Sequence, residues 1–91
     1  MTYRIQFTQS YLQRAKKFLK RHPDLFRQYQ KTLDLLESNP FHPSLRLHAL
    51  KGPLTGMHSV SINISYRITL EFIIADNSII PIDVGDHDQV Y

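Results

Sequence analysis

The apolar residues of this 91-residue chain change their spacing twice, and that change limits the folds open to it. Tyr3, Ile5 and Phe7 alternate with polar residues, which is the period of a half-buried strand. From Thr8 to Leu36 apolar residues instead recur every three or four positions, which is the period of amphipathic helices. From Ser59 onward the alternation returns. The order strand, helices, strands predicts an α+β protein.

Two helices are predicted within the helical stretch. His22-Pro23 interrupts the first, because proline disfavours the helical conformation for the residue before it. Pro23 suits the first position of a new helix, and Asp24 complements its N-terminal dipole. The second helix is predicted to stop at residues 38–40, Ser-Asn-Pro. The short connection indicates a helical hairpin that packs on one face of the later sheet.

An irregular link over residues 41–56, which could hold one brief strand, separates the hairpin from a strand-rich region. Strands are predicted over residues 59–64, 66–74 and 79–84, with turns at 63–65 and 76–78. They form an antiparallel meander with one apolar and one polar face, so we expect helices on one side only of a mostly antiparallel sheet of four to five strands.

The last predicted strand has two specific features. Ile80, Ile82 and Val84 are predicted to share its apolar face. Because Pro81 has no N–H to donate, the strand should lie near a sheet edge or contain a bulge. Gly85 permits a sharp turn after the strand, which would let the following residues fold back beside the sheet.

Composition narrows the class of protein. Residues 1–91 are predicted to form a single domain, and the chain has no cysteine, which excludes a disulfide scaffold, a thiolate metal site and a cysteine nucleophile. We expect a cytoplasmic protein. The longest uninterrupted apolar run, residues 72–75, is far short of the ~20 residues that a membrane span needs.

Charge is segregated along the chain. Residues 1–67 carry all eleven lysines and arginines against three acids, while residues 68–91 carry five acids and no base. Such segregation indicates a basic surface that faces a polyanion, with nucleic acid as the first candidate. The alternative is an ordinary solvated helix face.

Several short motifs of the second half occur together in a specific order. Leu50 to Gly56 reads L-x-G-x-L-x-G, Tyr66-Arg67-Ile68 follows, and the chain ends in Gly85-Asp86-His87 and Val90-Tyr91. In this order and spacing the chain resembles the RelE/ParE superfamily of toxins from bacterial toxin–antitoxin modules, and within it the YafQ-like branch.

The resemblance implies a RelE-like fold and a toxin of a type II module that a cognate antitoxin neutralises. Many members are ribosome-dependent endoribonucleases that cut mRNA without a metal or another cofactor, whereas the ParE branch inhibits DNA gyrase. The implied partners are therefore an antitoxin, the ribosome with its rRNA, and mRNA. A homodimer and a toxin–antitoxin heterotetramer are both open.

By position, the resemblance carries functional roles to His48, Arg67, His87 and Tyr91. Metal-free RNA cleavage needs a base for the ribose 2′-hydroxyl, an acid for the leaving 5′-oxygen and a cation for the phosphate. Histidine suits both proton roles near neutral pH, so His48 and His87 are the predicted pair, with the two roles left open between them. Arg67 is the predicted phosphate clamp, and Tyr91 could stack on a base.

The predicted contacts to the RNA backbone are basic residues of the first helix and of the link: Lys16, Lys17, Lys20, Arg46 and Lys51.

Each of these residues also has a structural interpretation. His48 could be an ordinary surface residue, Tyr91 could cover a sheet edge, and Arg67 could pair with Glu71 or Asp83. His58 is a weaker candidate. Acidic residues beside His87 could indicate a metal, but the sequence contains no H-x-x-x-H or H-x-H spacing.

Three departures from the YafQ-like pattern keep a second function open. Ser61, Ser65 and Asp83 stand where YafQ-like enzymes have a histidine, an aspartate and an arginine. The alternative is a toxin-fold binding protein without nuclease activity, either a gyrase inhibitor or a decayed partner of an antitoxin.

Overall fold

Two helices pack on a five-stranded sheet in the computed structural model, which describes residues 2–73 and 76–86. The elements are β1 (Arg4–Ile5), α1 (Gln9–Arg21), α2 (Phe26–Ser38), β2 (His48–Ala49), β3 (His58–Ser61), β4 (Tyr66–Ile73) and β5 (Ser78–Asp86). The strand order is β1-β5-β4-β3-β2, with β1 parallel to β5 and the other neighbours antiparallel. The predicted α+β architecture is confirmed, including the brief strand in the link.

The helical hairpin is built as its sequence predicts. The Thr8 side chain caps α1 by accepting a hydrogen bond from the Tyr11 backbone N–H at 3.1 Å. Pro23 opens a 3₁₀ turn, Pro23–Leu25, that leads into α2. The buried hydroxyls of Tyr11 and Tyr29 lie 2.6 Å apart and join the two helices.

The core lies between the helices and one face of the sheet, which we call the inner face. Its buried apolar side chains from the helices are Tyr11, Ala15, Phe18, Tyr29, Leu33 and Leu36, and from β3, β4 and β5 Val60, Ile68, Leu70, Ile79 and Val84. Because successive strand residues point to opposite faces, the residues that alternate with these lie on the side away from the helices. We call that side the outer face.

β5 contains a bulge that corrects its predicted facing. Thr69 pairs with Asp83 while Leu70 pairs with Pro81, so Ile82 is an extra residue without a partner position. The extra residue reverses the alternation, and Ile79 and Pro81 therefore share the inner face with Val84. The prediction of a face shared by Ile80, Ile82 and Val84 is wrong, and the bulge beside Pro81 is the reason.

The strand predicted over residues 59–64 ends at Ser61, and one turn prediction is wrong. Ile64 lies in the turn after β3 and is 88% exposed, because the Asn63 side chain accepts hydrogen bonds from the N–H groups of Ser65 and Tyr66 and closes the turn there. Gly85 pairs with Arg67 inside β5, which continues to Asp86, so no turn begins at Gly85. Neither helix in the described ranges has the length and apolar character that a membrane span requires.

Candidate functional site

His48 and Arg67 lie on the same face of the sheet, although 18 residues separate them in sequence. His48 pairs with Ser59 across β2 and β3, Ser59 pairs with Thr69 across β3 and β4, and Arg67 follows on the same side of β4. All are on the outer face. Ordinary strand spacing and rise put the Cα atoms of His48 and Arg67 about 12 Å apart, a span that the two long side chains can close.

Arg67 is held at one end of this face. Its Nη1 donates to the Ser61 hydroxyl at 3.2 Å, and the two residues are direct cross-strand partners. They line a pocket of about 200 Å³ together with Ser44, Arg46 and Asn63. A half-buried guanidinium beside a second arginine favours binding of an anion such as a phosphate.

The His48 ring has a defined tautomer. Its Nδ1 lies 3.0 Å from the backbone carbonyl oxygen of Arg46. Because a carbonyl oxygen only accepts, Nδ1 carries a proton, and in the neutral ring the lone pair is on Nε2. The backbone that presents this carbonyl is left-handed, with a φ of 50° at Arg46. In this tautomer Nε2 is the nitrogen of the exposed His48 ring that can act as a base.

The remaining predicted site residues divide into three groups. Lys51 lines a pocket of about 280 Å³ together with His48. Lys16, Lys17 and Lys20 are exposed on α1, on the helix side of the molecule. His87 and Tyr91 lie outside the described residues.

Asp83 has an ion-pair partner on α1. Its carboxylate lies 3.4 Å from Nη1 of Arg14, and its Oδ1 also accepts the Val84 backbone N–H at 2.8 Å. Arg14 therefore offsets the charge that Asp83 would otherwise present to a phosphate.

His58 and His42 have structural contacts. His58 points to the inner face, where its ring lies 5.7 Å from that of Phe72. The Nδ1 of His42 accepts from the Ser44 backbone N–H at 3.2 Å and caps a 3₁₀ turn. Within residues 2–73 and 76–86, no group of three or more histidine and acidic side chains could hold a metal ion.

A second concave surface lies on the helix side and was not anticipated from the sequence. We call it the helix-side cleft; it measures about 300 Å³ and is lined by Arg14, Lys17, Phe18, Arg21, His22 and Tyr66, together with Val84 to Asp86 of β5. The signal in the sequence is the spacing of its three cations at positions 14, 17 and 21, which puts them on one side of a helix.

The tyrosine pair between the helices has shifted proton affinities. Burial raises the pKa of the Tyr11 hydroxyl well above its ordinary value, and the neighbouring Tyr29 adds to the effect. Burial also raises the pKa of Tyr29, although its hydrogen bond with Tyr11 partly opposes that shift. Both hydroxyls stay protonated at neutral pH, so the pair is a structural link between the helices.

No family model and no curated protein matches the chain, whereas solved structures match it over nearly its whole length. YafQ from E. coli strain BL21(DE3) superposes with a TM-score of 0.78 at 15% identity, covering 98% of each chain. A chain of the E. coli DinJ–YafQ toxin–antitoxin complex gives 0.77 at 18% identity, covering 100% of this chain and 99% of that one. The YoeB/ParE toxin from Agrobacterium tumefaciens gives 0.72 at 18% identity, with 92% and 98% covered. At such low identity these matches establish the architecture, and the chain therefore has the fold of the RelE/ParE toxins.

Proposed function

We propose that this chain is the toxin of a type II toxin–antitoxin module and cuts mRNA on the ribosome without a metal. The observation that supports this most directly is the common outer face of His48 and Arg67, with Ser61 beside the guanidinium. Gly85, the cross-strand partner of Arg67, stands two residues before His87 in the chain. His48, Arg67 and the strand that leads to His87 thus lie in the same part of the sheet.

The residues divide the reaction as follows. Nε2 of His48 takes the proton of the ribose 2′-hydroxyl, whose oxygen attacks the adjacent phosphorus. Arg67 binds the phosphate oxygens as their charge grows. His87 protonates the departing 5′-oxygen, and Tyr91 stacks on a neighbouring base. Each proton transfer contributes roughly 100- to 10,000-fold in rate.

The partners follow from the fold and the charge. The chains that superpose on this one include members of toxin–antitoxin complexes. A cognate antitoxin would bind this chain and cover its site. The exposed cations Lys16, Lys20 and Lys51 would supply contacts to rRNA or mRNA phosphates.

Growth and protein synthesis in cells that express the chain test this function. The wild type should arrest translation within minutes, measured by incorporation of a labelled amino acid, while His48→Gln and His87→Gln should lose the arrest. His42→Asn is the matched control, because asparagine keeps an acceptor for the Ser44 N–H. A growth block that persists unchanged in both histidine variants would refute the assignment.

A gyrase inhibitor or an inactive binding protein is the second candidate. Its support is the outer face itself, where Ser61 supplies a hydroxyl beside Arg67. The carboxylate of Asp83 instead contacts Arg14 on α1, so no acidic or basic group of this position faces a phosphate beside Arg67. Inhibition of DNA supercoiling by purified gyrase, with translation unaffected, would select this candidate.

A further inference from the structure

Three cations of the helix-side cleft lie along one line of α1. Arg14, Lys17 and Arg21 are three and four residues apart, so they are separated by about 4.5 and 6 Å along the helix axis. All three are exposed. Arg14 is fixed at the rim by its contact with Asp83. Such a row of cations can follow consecutive phosphates of a single strand.

Aromatic rings also line the cleft: Phe18 and the C-cap His22 come from α1, and Tyr66 comes from β4. The His22 ring centroid lies 4.7 Å from that of Tyr66 and 4.9 Å from that of Phe18. Phe18 is buried beneath them, with 7% of its surface exposed. His22 and Tyr66 are only half-buried and line the cleft with their remaining ring surface. Exposed rings of this kind can stack on a planar base.

We propose that the helix-side cleft binds a nucleotide of single-stranded RNA, with its base against Tyr66 and His22 and its phosphates on Lys17 and Arg21. The cleft's volume of about 300 Å³ is at the small end of ligand pockets, which suits one nucleotide and excludes a duplex. The choice of RNA rests on the proposed function. The cleft is distinct from the cleavage face, because Tyr66 points to the inner side of β4 and Arg67 to the outer side.

An acidic peptide fits the cleft less well than RNA. Its carboxylates would use the cations but leave the ring surface of His22 and Tyr66 without a stacking partner. A nucleotide uses both the cations and the rings, because it carries a phosphate and a planar base.

Binding of a fluorescently labelled nine-nucleotide single-stranded RNA to the purified chain, measured by anisotropy without ribosomes, tests the cation contacts. Arg21→Gln should lower the magnitude of the slope of log K against log salt concentration by about 0.7, the value for one lost contact to a single strand. Arg27→Gln is the matched control, since Arg27 is exposed on α2 and does not line the cleft. Equal slopes for the two variants would overturn the proposal.

The ring contacts need separate variants. Tyr66→Leu should weaken binding roughly 5- to 150-fold, the loss of one stacked base, and leave the salt slope unchanged. Tyr66→Phe keeps the ring and should bind like the wild type. If Tyr66→Leu does not fold, as judged by circular dichroism, His22→Leu provides the same reading. A folded ring variant that binds RNA at wild-type strength would refute the base contact.

The two proposals fail separately. If RNA binds through Arg21 and Tyr66 but mRNA is never cut on the ribosome, the proposed nuclease activity is refuted and the proposed nucleotide site in the helix-side cleft still stands. Tighter binding of a glutamate-rich nine-residue peptide than of the RNA would overturn the nucleotide assignment, whatever the cleavage assay gives.

Discussion

Single residues of the candidate site acquire their neighbours from the strand register. The sequence contains a histidine at position 48 and an arginine at position 67, and the resemblance to the RelE/ParE toxins implies their roles. The hydrogen-bond acceptor for Arg67 is Ser61, and the group that fixes His48 is the carbonyl of Arg46. Neither contact was predictable, because each depends on a local geometry that side-chain type does not determine.

Asp83, which stands where YafQ-like enzymes have an arginine, forms an ion pair with Arg14. Asp83→Asn keeps an acceptor for the Val84 N–H and releases Arg14 from its carboxylate. We therefore expect RNA binding to tighten by up to about fivefold, while the free energy of unfolding falls by less than ~1 kcal/mol, as for an exposed ion pair. Anisotropy and urea unfolding measure the two effects. Weaker RNA binding by a folded variant would contradict this account of Arg14.

The tyrosine pair predicts a loss of stability at alkaline pH. Burial raises the pKa of Tyr11 above the ordinary value of 10.0. Above that pH the unfolded chain releases the proton and the folded chain keeps it. The free energy of unfolding should therefore fall with rising pH, by up to about 1.4 kcal/mol per pH unit for this group. Below pH 9 the contribution is fully present.

Tyr11→Phe removes the titrating group and tests this reasoning. Its unfolding free energy should decline less steeply between pH 9.5 and 11 than that of the wild type, and should be lower by about 1 kcal/mol at pH 7 because a buried hydrogen bond is lost. Urea unfolding at each pH gives both numbers. Identical slopes for the two proteins would show that Tyr11 ionises as easily folded as unfolded.

Among the secondary-structure elements, the helices were predicted more accurately than the last strand. Thr8, Pro23 and Asn39 mark the helix boundaries through local chemistry, which a sequence shows directly. The bulge at Ile82 depends on how β5 meets β4, and one extra residue there exchanges the faces of Ile79 and Ile80. A period of two therefore predicts that a strand exists, but its facing can be predicted only as far as the first bulge.

The cap of α1 can be tested by substitution at Thr8. Thr8→Ala removes the acceptor for the Tyr11 N–H and should lower the free energy of unfolding by about 1 kcal/mol. Thr8→Ser keeps the hydroxyl and should lie within a few tenths of the wild type. Thermal and urea unfolding of the wild type and the two variants measure these free energies. If Thr8→Ala and Thr8→Ser lower the free energy of unfolding equally, the hydroxyl does not cap the helix.

For the whole molecule, the order in which the spacing of apolar residues changes along the chain was sufficient to predict the architecture. Strand, helical hairpin and meander together limit the chain to helices on one face of a mostly antiparallel sheet, and the solved structures that superpose on it have the same arrangement at 15% to 18% identity. The site was less predictable, because the outer face draws on β2, β3 and β4, and the helix-side cleft joins α1 to β4 and β5.

We propose that this chain cuts mRNA on the ribosome through His48, Arg67 and His87. The most direct measurement is primer extension on a defined mRNA in a purified translation system, with a known codon held in the ribosomal A site. We expect a new 5′ end within that codon with the wild-type chain, no cleavage of the same mRNA without ribosomes, and at least about a 100-fold slower appearance of the end with His48→Gln. Intact mRNA on ribosomes saturated with folded wild-type chain would contradict the claim.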